Sequence, residues 1–153
     1  MQNVVVVDFG TGNLRSVHKA IEHAADGVNV TVTRDPAIIR AADRVVLPGQ
    51  GAMGTWVQAM QQFGLTDAIH DALATKPVLG ICLGLQALTR RSEEDNGVQG
   101  LGYFQGEVKK FPAGGMDGGA AAKIPHMGWK RVPDSMPSQS GCDWDCSTRF
   151  QPM

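Results

Sequence analysis

Histidine is scarce in this sequence, and its placement matters more than its number. It occurs only at His18, His23, His70 and His126, and glutamate stops earlier still, at Glu107. Cysteine is scarce too. Cys82, Cys142 and Cys146 are an odd number without framework spacing, which argues against a disulfide scaffold and fits a reducing, cytoplasmic setting. No histidine pair has metal-ligand spacing, and no His stands beside Cys142 and Cys146. Neither a metal nor another cofactor is therefore expected. No apolar run approaches the ~20 residues of a membrane helix. The start Met1-Gln2-Asn3 lacks the basic and apolar regions of a signal peptide. A net charge of −1, with no basic patch interleaved with aromatics, gives no support to nucleic acid or an anionic membrane as partner.

What is present suffices for one core: 153 residues, 42% of them hydrophobic. Val4 to Val7 is a continuous β-branched run, as in a strand buried on both faces. Asn13 is a good N-cap for a helix carrying Leu14, Val17, Ile21 and Ala24. Val28, Val30 and Val32 alternate in a second strand. Asp35-Pro36 opens a short helix through Ala42. Arg44 to Leu47 is a third strand, ending at Pro48-Gly49-Gln50-Gly51. Met53, Val57 and Met60 mark one helix, Ile69 and Leu73 another. Val78 to Ile81 is a fourth buried strand, and Leu85 and Leu88 ride on the helix after it. This alternation predicts an α/β fold with a parallel sheet and right-handed crossovers. Beyond about Asn96 it fades. Val108 to Phe111 and Trp129 to Val132 read as strands, and Pro112 to Ala122 as a Gly/Ala-rich loop. From Pro133 onward neither period is visible.

Ligands of such sheets bind beyond the carboxyl ends of the strands, where Asp8-Phe9-Gly10, Pro48-Gly49-Gln50-Gly51 and Cys82 all fall. A cysteine after a buried strand is by default a small core residue. Gly80 and Gly84 on either side of Cys82 favour another reading: a sharp strand-to-helix elbow that presents a nucleophilic thiol. A thiol at a helix start lies in a field that favours the thiolate. The Leu83 N–H, one residue on, is a candidate oxyanion donor, and the N–H groups of Gly49-Gln50-Gly51 are candidates for a second. Gln86 shares a helix face with Cys82, either as a solvated residue or as a substrate contact. Gly10-Thr11-Gly12 lacks the features of a phosphate loop and reads as a tight turn.

Taken together, Val5-Val6-Val7-Asp8-Phe9-Gly10-Thr11-Gly12-Asn13-Leu14-Arg15-Ser16-Val17, Leu47-Pro48-Gly49-Gln50-Gly51-Ala52-Met53, Pro77 to Gln86, Gly100-Leu101-Gly102 and Lys123-Ile124-Pro125-His126-Met127-Gly128-Trp129 resemble the class I (triad) glutamine amidotransferases. Among these they are most similar to the glutaminases that serve a (β/α)8-barrel cyclase in histidine biosynthesis. The resemblance covers residues 1–132. It implies a flavodoxin-like parallel sheet with helices on both faces, and hydrolysis of glutamine. Cys82 would form a γ-glutamyl thioester. Gly49, Gln50, Gly51 and Leu83 would serve the oxyanion and Gln86 would hold the glutamine. Pro125, His126, Met127, Gly128 and Trp129 would face the cyclase, which takes the ammonia.

The sequence departs from that family at its end. The family's late His-x-Glu pair has no counterpart, because no His follows His126 and no Glu follows Glu107. His126 matches the interface motif instead, and Lys130 stands where the family usually has Asn. Residues 133–153 read as an atypical tail, like sequence translated out of frame or a truncated product, with the late strands missing. Impaired turnover is expected. A non-catalytic module that binds the cyclase or glutamine is the alternative reading.

Overall fold

A computed structural model describes residues 1–110. Four parallel strands form the main sheet: β1 (Gln2–Val7), β2 (Val28–Thr33), β3 (Arg44–Gly49) and β4 (Val78–Cys82), in the order β2-β1-β3-β4. Each crossover carries helix: α1 (Leu14–Ala24), α2 (Pro36–Ala41), then α3 (Met53–Gln62) and α4 (Thr66–Thr75) between β3 and β4. The order is that of a flavodoxin-like sheet, whose growth reverses between β1 and β3 and opens a crevice at their carboxyl ends.

The caps fall where the sequence places them. The Asn13 side chain accepts from the Ser16 N–H at the start of α1, and Asp35 accepts from the Ala37 N–H at the start of α2. Strand periodicity then sorts the valines. Val5, Val7, Val45 and Leu47 face α2, α3 and α4, in a core closed by Ile39, Met53, Trp56, Ile69 and Ala72. Val4, Val6 and Val46 face Leu14, Val17 and Ile21 of α1. β1 is thus buried on both faces, as expected.

β4 departs from the expectation of a buried strand. It is the last strand of the sheet among the described residues, and Leu79 is 55% exposed. Leu79 lies in register with Val46, on the α1 side. Ile81, on the same face, packs against the Val4, Val6 and Val46 cluster that α1 covers, whereas Leu79 does not belong to it. α5 (Leu83–Ala87) is shorter than the pattern suggests, with Leu88 as its C-cap.

A second, three-stranded sheet follows, of order β6-β5-β7: β5 (Thr89–Ser92), β6 (Val98–Gln99) and β7 (Phe104–Val108). Of the expected strand Val108 to Phe111, Val108 ends β7, Lys109 and Lys110 follow it outside the strand, and Phe111 lies outside the described residues. Gly100-Leu101-Gly102 seats this sheet against the end of α5, with the Leu101 N–H donating to the Ala87 carbonyl at 2.7 Å. The expected Trp129 to Val132 strand, the segment Pro125 to Trp129, the tail 133–153 and the expected absence of late strands all lie outside the described residues.

Candidate active site

β3 and β4 end side by side, with Gly49 and Cys82 in register. Cys82 is the last residue of β4 and the N-cap of α5, at φ 54 and ψ −113, with its side chain exposed. For a residue with a Cβ this backbone costs on the order of 1–3 kcal/mol and persists only where the surroundings impose it. Three close approaches impose it here. A Cβ on Gly80 would fall 2.7 Å from Leu85 Cα, so α5 folds back directly over β4. A Cβ on Gly84 would fall 2.7 Å from the Leu47 carbonyl carbon and nearer still to its oxygen, so α5 rests on the β3 backbone. A Cβ on Gly49 would fall 2.7 Å from Leu83 Cβ and 2.8 Å from Gly84 N. The elbow is therefore held by backbone packed against backbone. α5 has only five residues, so helix field adds little to it.

Cys82, Gly49 and Leu83 are thereby brought together. Gln50 and Gly51 follow on an exposed loop, where Gly51 takes φ +96, a conformation that favours glycine. Gln86, half-buried, is one turn along α5 from Cys82, and its carbonyl accepts from Thr89 Oγ1 at 2.7 Å. The base of the loop is anchored. Trp56 Nε1 donates to the Pro48 carbonyl at 3.0 Å in the core, and the Trp56 ring packs on Phe9 with centroids 4.2 Å apart.

Asp8, at the end of β1, is paired with Arg34 and also accepts from the Gly10 N–H at 2.7 Å. Arg34 in turn lies 4.3 Å above the Phe63 ring. Burial pushes the Asp8 carboxyl up. The hydrogen bond from Arg34, the Gly10 N–H and the Arg34 charge outweigh it and hold the group below the usual carboxylate range.

The described histidines stand elsewhere. His18 reaches the Val30 carbonyl of β2, on the far side of β1 and β3 from Cys82, and also approaches Glu22. His23 and His70 are exposed on α1 and α4. Among the described residues no His, Cys, Asp and Glu side chains cluster as metal ligands do.

Two residues of the neighbourhood escape sequence reading. Glu94 accepts from the Met53 N–H at 2.9 Å, and Asp95 from the Gly54 N–H at 3.2 Å. They supply the start of α3 with acceptors that its N-cap, Ala52, cannot offer. An alanine at that position is the only local signal, and it does not say where the acceptors lie.

The family model described as glutamine amidotransferase class-I matches residues 5–138. The chain is 50% identical to the imidazole glycerol phosphate synthase subunit HisH of Nitrosospira multiformis over 138 residues, covering 89% of this chain and 65% of that protein. It is 47% identical to the HisH subunit of Nitrosomonas europaea, covering 98% of this chain and 71% of that protein. The chain thus spans a little under two thirds of the Nitrosospira relative's length. A crystal structure of a glutamine amidotransferase superposes with a TM-score of 0.58 at 19% identity, over 69% of this chain and 55% of that one, which bears on the fold alone.

Proposed function

The chain belongs to the class I glutamine amidotransferase family, and from that premise we propose that it is the glutaminase subunit of an imidazole glycerol phosphate synthase, with Cys82 as nucleophile. The observation that carries the reading is the positive φ of Cys82, held in register beside Gly49. Strain of this kind at an exposed thiol is what a nucleophile elbow requires.

In the proposed reaction the Cys82 sulfur attacks the side-chain amide carbon of glutamine, and a C–S bond forms. The oxygen takes up negative charge, which the Leu83 N–H and the Gly49-Gln50-Gly51 loop stabilise. The C–N bond then breaks and ammonia leaves with a proton. Water attacks the γ-glutamyl thioester, releases glutamate and returns the thiol. Gln86 helps to hold the glutamine. The ammonia passes to a (β/α)8-barrel cyclase subunit, which uses it to make imidazole glycerol phosphate and aminoimidazole carboxamide ribonucleotide. Pro125, His126, Met127, Gly128 and Trp129 contribute to that interface. Residues 1–132 act as the amidotransferase part and 133–153 as an atypical appendage. The setting is cytoplasmic; among the described residues no helix is long and apolar enough to cross a membrane.

A second reading, a module that binds glutamine or the cyclase without turnover, is favoured by one specific fact: no His follows His126 and no Glu follows Glu107. Proton delivery to ammonia and activation of water then lack their usual groups, a loss of ~10²–10⁴-fold in rate. Two measurements test both readings. A glutamine-shaped diazoketone should label Cys82 ahead of Cys142 and Cys146 in the folded chain, and equal labelling of all three refutes the nucleophile. Glutamate release, with and without the cyclase, should fall well below that of the Nitrosospira relative. A comparable rate would mean that another residue replaces the base, and His126→Ala would identify or exclude the first candidate.

A further inference from the structure

We infer that the Glu94–Asp95 turn is a positioning clasp for the loop Gly49 to Ala52, acting through the first turn of α3. The inference rests on the glutaminase reading and assigns a task to residues outside the elbow.

The loop has two ends. One is fixed by the pairing of Gly49 with Cys82 and by the Trp56 bond to the Pro48 carbonyl. The other enters α3 at Ala52, which makes no side-chain cap. Helix starts leave N–H groups that need acceptors, and an uncapped start frays. Here the acceptors come from 41 residues away: Glu94 takes the Met53 N–H, and Asp95 takes the Gly54 N–H.

The turn is shaped for that reach. Asp95 and Asn96 adopt φ 50 and 65, and Gly97 adopts φ 103. The Glu94 N–H is held by the Oγ of Ser92, which is fully buried. Asp95 also presses on its target, for a Cβ at Gly54 would lie 2.8 Å from Asp95 Oδ2. A side chain is thus absent from Gly54 where the carboxylate arrives. With α3 pinned at its first residues, the intervening loop has little freedom to move its N–H groups relative to Cys82.

The variants follow from these contacts. Asp95→Gly removes the carboxylate yet tolerates φ 50. Gly54→Ala displaces the same carboxylate without touching either acid. Glu94→Gln keeps an acceptor that Glu94→Ala loses. Two readouts are taken on the full chain. Amide exchange of the segment 50–54 should speed up about tenfold in Asp95→Gly, Gly54→Ala and Glu94→Ala, and stay near wild type in Glu94→Gln. Labelling of Cys82 by the glutamine-shaped diazoketone should slow about tenfold in its maximal rate, with half-saturation unchanged, because a misplaced donor loop harms the reacting geometry rather than affinity. Alkylation by iodoacetamide, which needs only the thiol, should stay within about twofold of wild type.

Unchanged exchange in the three disrupting variants overturns the clasp. Faster exchange with an unchanged maximal labelling rate overturns its role in positioning, as does a fall shared equally by iodoacetamide. Wild-type protein that the diazoketone labels no faster at Cys82 than at Cys142 and Cys146 refutes the glutaminase reading instead, and the exchange arm still decides the clasp.

Discussion

Gly84→Ala should damage this protein far more than an added methyl group ordinarily does. The new Cβ would stand 2.7 Å from the Leu47 carbonyl carbon, whereas ordinary van der Waals contact begins at 3.4 Å. Both partners are backbone, so no side chain can turn aside. Either α5 lifts off β3 by about 1 Å or β3 bends inside the sheet, and overpacking of this kind costs about 1–3 kcal/mol, with rigid backbone at the upper end. Taking ~3 kcal/mol and a urea slope of ~2 kcal/mol per molar, the unfolding midpoint should fall by ~1.5 M. Gly106→Ala is the matched control. Gly106 has open space around its Cβ position and no positive φ. Its replacement changes the unfolded chain in the same way and should leave the midpoint unchanged or raise it by the equivalent of ~0.4–1 kcal/mol. Urea unfolding followed by tryptophan fluorescence reads both. A Gly84→Ala midpoint within ~0.3 M of wild type would refute the packing argument and with it the account of what holds Cys82 in its conformation.

Trp56→Phe should lower stability by about 1–3 kcal/mol, because the buried Pro48 carbonyl loses its donor; an unchanged urea midpoint would show that the bond contributes nothing. Cys82→Gly should be more stable than Cys82→Ala by ~1 kcal/mol, since glycine adopts φ 54 without strain and alanine does not; the opposite ranking by thermal melting would remove strain from the description of the elbow. Asp8 titrates below its unfolded value, so its pairing with Arg34 contributes stability that is fully present above pH ~4 and is lost as pH falls through the lower folded value. Asp8→Asn should therefore weaken the protein at neutral pH and flatten its acid limb below pH ~4, and an acid limb of unchanged slope in urea midpoints from pH ~3 to ~6 would contradict the assignment.

The parts of the fold that the sequence makes legible are those specified by neighbours in the chain. Asn13 and Asp35 cap α1 and α2 because capping is local, and the valines of β1 declare burial on both faces without reference to a partner. The placement of β4 is not local. Val78 to Ile81 reads like a buried strand, yet it stands last in the sheet among the described residues, and Leu79 is exposed while Ile81 packs on the Val4, Val6 and Val46 cluster. The small sheet is hidden for a related reason. Thr89-Arg90-Arg91-Ser92 has no apolar alternation, and its strand exists through pairing with Val98 and with Phe104 to Val108. At the site, Gly80 and Gly84 announce the elbow because glycine on both sides of a thiol is visible in seven residues. Glu94 and Asp95 are not visible in that way, since their partners at Met53 and Gly54 lie 41 residues away.

The elbow's supports come from β3, β4 and α5 and, at Gly49, from Trp56 of α3, within residues 44–87. Among the described residues, the closest approaches to Gly49, Gly80 and Gly84 come from residues 47–85. The acid–base pair of the proposed reaction is a different kind of part. The packing that sets Cys82 at φ 54, with Gly49 in register beside it, is backbone geometry and moves no proton. The geometry of the thiol and the movement of protons in the proposed reaction therefore draw on different residues. The first depends on packing that a single methyl group on Gly84 would disturb. The second serves both the departure of ammonia and the activation of water, and this sequence has no His beyond His126 and no Glu beyond Glu107. Labelling of the thiol and release of glutamate therefore report different parts of the proposed reaction and have to be measured as two quantities.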